Sequence, residues 1–403
     1  MVTMVKDLLS VRVQSIKPSG IRKFFDIAAT MDDVISLGVG EPDFPTPAAI
    51  REAGIRSIAE KGTRYTANSG LIELRRSISR YLERRFGVEY NPQNQVLVTV
   101  GGSEAVDLAL RAVVDPGDEV LVPEPTFVSY APLTIMAGGV PVPVPTYEKD
   151  DFRLTVEAIK PLITEKTKAI VFCYPNNPTG AVMEKRDLQA IAEVLSQHKI
   201  VVISDEIYAE LVYGVEHTSI AGLPGMYERT ILISGFSKAF SMTGWRLGYA
   251  CGPAELIDAM KKIHQYGIMS APTTAQWAAI EALENGMPEV EKMRVEYDQR
   301  RQFIVQGFRS MGLSCFEPRG AFYCFPRISD LGLSSDEFCT ALLEAERVAV
   351  VPGSAFGDCG EGFVRVSYAY SIESIRQALE RIDRFIQTAA GGSAQWLAGR
   401  KLS

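Results

Sequence analysis

Between about residues 94 and 250, short apolar runs alternate with stretches whose apolar residues recur at three- to four-residue spacing. The runs at 95–100, 119–122, 169–173, 200–204, 230–233 and 247–250 are rich in Val and Ile and have strand length. The intervening segments at 103–114 and 185–197 carry a helical repeat. Because the apolar runs are continuous rather than alternating, they predict strands buried on both faces. That is an α/β fold, with a mostly parallel central sheet covered by helices on each side. Ligands in such sheets gather outside the carboxyl ends of the strands. Asp115-Pro-Gly-Asp118 and Tyr174-Pro-Asn-Asn-Pro-Thr-Gly180 read as turns.

Past residue 285 the pattern changes. A charged helical stretch at 289–310 leads into strands at 315–326, 348–351 and 363–367, then a closing helix at 371–387. This predicts a large domain over 46–288 and a smaller α+β domain built from 1–45 and 289–390. The end, 391–403, has little periodicity and is expected to be loosely attached.

Composition changes this picture little. With 403 residues, 46% hydrophobic and 23% charged, the chain has the make-up of a globular protein of about two domains. A net charge of −7 and the lack of a basic stripe argue against a nucleic-acid partner. No apolar run reaches membrane-spanning length, and the first ten residues lack a signal peptide's apolar core. The six cysteines show no C-x-x-C spacing and the three histidines no metal spacing. The expectation is a cytoplasmic, metal-free protein with reduced thiols.

The chemistry centres on Lys238. The apolar run 230–233 ends in Ser234-Gly-Phe-Ser237-Lys238, and Arg246 follows eight residues on. A lysine stripped of water at a strand end has a lowered pKa and a nucleophilic amine. Pyridoxal phosphate chemistry asks for such an amine, with hydroxyls and a cation for the phosphate. Four further sites suit that cofactor. Gly101-Gly102-Ser103 stands where a strand turns into a helix, whose amino terminus offers free amides to a phosphate. Asp205 follows a buried strand and can pair with a pyridine nitrogen. Tyr208, three residues on, and Asn177 can reach a phenolic oxygen, and Phe127 offers a ring for stacking. Arg365, in the apolar strand Phe363-Val-Arg365-Val-Ser, suits bidentate capture of a carboxylate. Taken singly, each also has a structural explanation: an N-cap, a turn amide, a core aromatic or a buried ion pair.

Six motifs in order resemble the class I/II aminotransferases of pyridoxal-phosphate fold type I. They are Ile35-Ser-Leu-Gly-Val-Gly40-Glu-Pro-Asp-Phe, Tyr65-Thr-Ala-Asn-Ser-Gly70, Asn177-Pro-Thr-Gly180, Ser204-Asp205-Glu-Ile-Tyr208, Ser237-Lys238 and Phe363-Val-Arg365-Val-Ser. The resemblance runs from Ser15 to about Gln387. It implies that Lys238 is the Schiff-base lysine and proton shuttle, and that Asp205 pairs with the ring nitrogen. Tyr208 and Asn177 would meet the phenolic oxygen, with Phe127 stacking on the ring. Arg246, Ser234 or Ser237, and the Gly102–Ser103 amides would hold the phosphate. Arg365, Asn177 and the Gly40 backbone would bind the substrate α-carboxylate. The residue matching Tyr65 reaches the neighbouring subunit's phosphate, so a homodimer with shared sites is implied.

Transfer of an amino group from an L-amino acid to a 2-oxoacid, 2-oxoglutarate by resemblance, is the implied reaction. A carbon–sulfur β-lyase on the same fold is the alternative. Ser103 stands where many bacterial aspartate aminotransferases of the subgroup carry a lysine. The stretches Glu210-Leu-Val-Tyr213…His217-Thr-Ser-Ile220 and Ile263-His264-Gln-Tyr266 look more like aromatic and acetyl-diaminopimelate aminotransferases. Donor choice is expected to depend on residues 17–25, Ser103, Phe127 and the 269–274 loop.

Overall fold

The computed structural model describes residues 8–18 and 31–398, with side chains to 388. Its centre is a seven-stranded sheet: β1 (Val96–Thr99), β2 (Glu119–Glu124), β3 (Val140–Pro145), β4 (Thr167–Cys173), β5 (Val201–Asp205), β6 (Thr230–Gly235) and β7 (Gly248–Cys251). The spatial order is β1-β7-β6-β5-β4-β2-β3. All neighbours pair in parallel except β7, which runs against both β6 and β1.

Each predicted strand of this region is present to within two residues. One strand escaped the pattern. Residues 140–145 read Val-Pro-Val-Pro-Val-Pro, and proline cannot donate to a ladder. They form the edge strand β3, hydrogen-bonded to β2 alone. The Val140 amide donates to the Asp118 carbonyl at 2.8 Å, so the valines serve the sheet and the prolines fall on the alternate positions.

Strand residues divide by parity between two cores. Ile170, Phe172 and Val202 pack with Leu188 and Ile191 of helix Lys185–Ser196. Ala169, Val171, Ile203, Ile231 and Ile233 pack on the other face with Val106 and Leu110 of α1 (Gly101–Val113). Helix Ala254–Gly267 lies against α1 on that side through Ile257 and Met260. Burying each such aliphatic side chain contributes about 1.5–3 kcal/mol, which holds the strand ends in register.

The C-terminal portion contains α2 (Met287–Ser310), helix Ser335–Glu346 and α3 (Ile372–Ala398) around a small antiparallel sheet. In that sheet Val364–Ser367 lies between Val351–Pro352 and Tyr323–Cys324. The strand expected over 315–326 is therefore mostly irregular, with one isolated bridge between Cys315 and Pro326. Near the amino terminus, Ile35–Ser36 pairs in parallel with Val348–Ala349, joining both ends of the chain. The closing helix, expected to stop at 387, continues to Ala398, so most of the segment read as a loose end has helical backbone.

Candidate active site

The carboxyl ends of β1, β2, β4, β5 and β6 open on one cavity of about 320 Å³. Its wall brings together Gly40, Gly102, Ser103, Phe127, Asn177, Asp205, Tyr208, Ser237, Lys238, Arg246 and Arg365, residues that span more than 300 positions of sequence. Two expected residues lie elsewhere. Ser234 is still inside β6, so its hydroxyl donates to the Glu206 carbonyl at 3.3 Å and does not line the cavity. Ser237, past the strand end, takes the lining position. Tyr65 is 82% exposed and outside the cavity of its own chain. Of the expected donor-selecting segment 17–25, residues 19–25 lie outside the described residues.

Lys238 donates from Nζ to the Gly40 carbonyl at 2.7 Å. Burial, and then the Arg365 charge, lower its pKa to about 8, with Glu41 and Asp205 acting in the opposite direction. Its amine is therefore far more available than that of a solvated lysine.

Asp205, at the end of β5, is held by two donors. The Tyr130 hydroxyl reaches Oδ2 at 2.8 Å and the Ile207 amide reaches Oδ1 at 3.1 Å. Burial pushes this carboxyl up to about 6 despite the Tyr130 bond, so the site gains from a cation placed against it. Tyr130 was not anticipated from sequence. Its only signal was its place three residues after Phe127, and the two rings meet edge to face at 5.7 Å.

Tyr208 has its hydroxyl 2.8 Å from that of Tyr323, a second residue not singled out from sequence. A Cβ on Gly40 would come within 2.1 Å of the Tyr323 oxygen, so this wall tolerates only glycine there.

Arg365 answers the ion-pair alternative directly. Among the described residues no carboxylate pairs with it, although it is 3% exposed. Nη1 donates to Asn177 Oδ1 at 2.8 Å and Nη2 to the Gly38 carbonyl at 2.6 Å, while Nε has no partner. The guanidinium lies between the rings of Tyr323 and Phe356, at 4.6 and 4.8 Å. A buried cation held by neutral groups is prepared for an anion supplied from outside. With its Oδ1 turned to Arg365, Asn177 has its amide NH₂ left to donate to an oxygen.

At the far end, Gly101 adopts φ +77°, and a Cβ there would lie 2.6 Å from Arg246 Nη2. Gly248 in β7 is equally tight, since its Cβ would meet Gly101 C and Gly102 N at 2.6 Å. The glycines let the guanidinium, the turn and β7 close on one another. The N-cap residue, Val100, has no side chain able to cap α1, which leaves the first amides of the helix free beside Arg246 and Ser237. Lys238, Arg246 and Arg365 face the cavity with Asp205 as the sole carboxylate in its described wall. That balance suits a ligand carrying a phosphate together with a substrate carboxylate, and the amine, the buried carboxylate and the glycine cradle fit pyridoxal phosphate.

Comparison with known proteins gives the same answer. Residues 32–382 match the model of aminotransferase class I and II. The chain is 57% identical to the Bacillus subtilis protein YugH, which carries an aminotransferase name, over 94% of this chain and 98% of that one. It is 48% identical to an aspartate aminotransferase of Pyrococcus abyssi, with the same coverage. The crystal structure of an aromatic aminotransferase from Pyrococcus horikoshii superposes with a TM-score of 0.88 at 47% identity, covering 91% of this chain and 99% of that one. The chain belongs to the class I and II aminotransferases, a pyridoxal-phosphate-dependent family, and is a transaminase. No helix among the described residues is long and apolar enough to cross a membrane.

Proposed function

We propose that this enzyme moves the amino group of an L-amino acid to a 2-oxoacid, 2-oxoglutarate by family resemblance, in two alternating half-reactions at one site. The single observation that carries the reading is Arg365, a buried cation lacking a carboxylate partner among the described residues, in the same cavity as a lysine whose pKa is lowered to about 8. In this reading pyridoxal phosphate supplies the electron sink that makes the substrate α-proton acidic. Arg246, Ser237 and the Gly102–Ser103 amides hold its phosphate. Asp205 holds the ring nitrogen protonated, Tyr208 and Asn177 bond the phenolic oxygen, and Phe127 covers the ring. Arg365, with Asn177 and Gly40, grips the α-carboxylate and so fixes which α-bond is aligned for cleavage. Lys238, freed from Gly40, would take the α-proton at Nζ and carry it, on the same face, to the cofactor's aldehyde carbon.

The donor reading is less specific. Ser103 at the cavity wall supplies no cation for a distal carboxylate, and Val39, Val106 and Leu133 give the wall apolar character. These features support a donor with an uncharged side chain over aspartate. The family pattern further supports a homodimer in which Tyr65 completes the neighbouring site. The exposure of Tyr65 (82%), Tyr266 (88%) and Ile55 (67%) is in keeping with a covered face. The division into 46–288 and 1–45 with 289–390, and a cytoplasmic setting for the six free thiols, belong to the same reading.

The test mixes holoenzyme with single L-amino acids and no acceptor. One equivalent of oxoacid per site, followed by glutamate once 2-oxoglutarate is added, is the expected result. Continuous pyruvate release from cystathionine without an acceptor would establish the β-lyase instead. Sedimentation as a monomer at working concentration would remove the shared-site assignment.

A further inference from the structure

Beside the start of α1, outside the cavity lining, lies a polar pair that the reaction does not use, a buried histidine with a partly buried glutamate. Glu104, in the first turns of α1, reaches back with Oε2 to accept from the Val100 amide at 2.5 Å. Its other oxygen, Oε1, lies 2.7 Å from Nδ1 of His264 on helix Ala254–Gly267. A carboxylate oxygen only accepts, so Nδ1 is the donor. His264 is 0% exposed, and its Nε2 has no hydrogen-bond partner among the described residues. The ring thus accepts the cost of a buried nitrogen left unpaired and makes a single polar contact, the one to Glu104.

What that contact holds is the backbone at the entry to α1. Val100 is the N-cap residue, and its side chain caps nothing. In an ordinary helix start a Ser, Thr or Asp side chain would consume one of the first amides. Here Glu104 binds the amide ahead of the helix instead, so the turn is fixed while the Gly102 and Ser103 amides at the cavity wall stay uncommitted. The neighbours of the turn are equally close. Gly101 touches Arg246, and Gly248 presses on the Gly101–Gly102 peptide. A small rotation at Val100 would swing those amides away from Arg246.

We infer that Glu104 and His264 are positioning residues for cofactor phosphate binding: His264 Nδ1 orients the Glu104 carboxylate, which locks the Val100 amide and thereby aims the amides of Gly102 and Ser103. This deepens the proposed reading of that turn as the phosphate end of the site and rests on it.

The test compares release of pyridoxal phosphate and of phosphate-free pyridoxal from the full-chain enzyme, with the ³¹P signal of bound cofactor as a second readout. Glu104→Ala and His264→Leu are expected to weaken pyridoxal phosphate about tenfold, the equivalent of one charge-assisted hydrogen bond, and to leave pyridoxal unchanged. His264→Asn, whose amide nitrogen takes the place of Nδ1, is expected to restore most of the affinity. Should either deletion variant fail to fold, Glu104→Gln, which can keep the acceptor for Val100 but turns its NH₂ toward the His264 Nδ1 donor, is expected to weaken pyridoxal phosphate by less than Glu104→Ala while leaving pyridoxal unchanged. Equal weakening of both ligands, or lower thermal stability with unchanged phosphate affinity and ³¹P shift, overturns the inference and leaves a purely structural cap. Arg246→Leu separates the two levels. If it weakens pyridoxal phosphate selectively while Glu104→Ala does not, only the positioning role fails. If Arg246→Leu has no selective effect, the phosphate-site reading itself fails.

Discussion

The depressed pKa of Lys238 makes a quantitative prediction. At about 8, roughly one tenth of the lysine is neutral at pH 7, against about 0.04% for an ordinary lysine near 10.4. The reactive amine is thus enriched roughly 200-fold. Burial is the first cause and the Arg365 charge the second. Stopped-flow mixing of the full-chain apoenzyme with pyridoxal phosphate should show a capture rate that rises with pH and levels off above about 8. Arg365→Leu removes the second cause, so the midpoint should move to higher pH. The sign for stability follows from the same shift. Between about 8 and 10.4 the unfolded chain binds more protons than the folded one, so Lys238 makes the apoenzyme more stable as pH rises through that window. A capture rate that climbs without a break to pH 10 would refute the assigned desolvation. An unmoved midpoint in Arg365→Leu would refute the role given to the Arg365 charge.

Three further outcomes are expected. Lys238→Ala should abolish turnover while still binding cofactor, and retained full activity by steady-state assay would end its assignment. Gly101→Ala places a Cβ 2.6 Å from Arg246 Nη2 on a residue at φ +77°; thermal denaturation should show a loss of roughly 1 kcal/mol or more, and cofactor affinity should fall with it. Asp205 titrates near 6, and its ionised form attracts a protonated ring. Cofactor affinity should therefore decline as pH falls through that value, and Tyr130→Phe, which removes a bond that favours the ionised carboxyl, should move the decline to higher pH in a fluorescence titration.

The sequence determined the sheet, because Val- and Ile-rich runs of strand length recur between helical segments and must be buried on both faces. It also singled out Lys238, Asp205, Asn177, Tyr208, Arg246 and Arg365 as candidates for chemistry, each at or near a strand end or in a motif, and all six line one cavity. Local pattern misled where tertiary context overrode propensity. The alternating prolines of 140–145 argued against a strand that only an edge position permits. The end of β6 decided between two serines: Ser234 lies within the strand and off the cavity, while Ser237, beyond it, lines the wall. Tyr130 and Tyr323 were invisible because a buried aromatic reads the same whether its hydroxyl meets a catalytic carboxylate or nothing at all. The Glu104–His264 pair joins residues 160 positions apart. Side-chain identity and periodicity are local properties that a sequence displays openly. Which hydroxyl meets which carboxylate, and which buried cation is left without a partner, depend on helices and strands packed from distant segments, and those the tertiary structure alone decided.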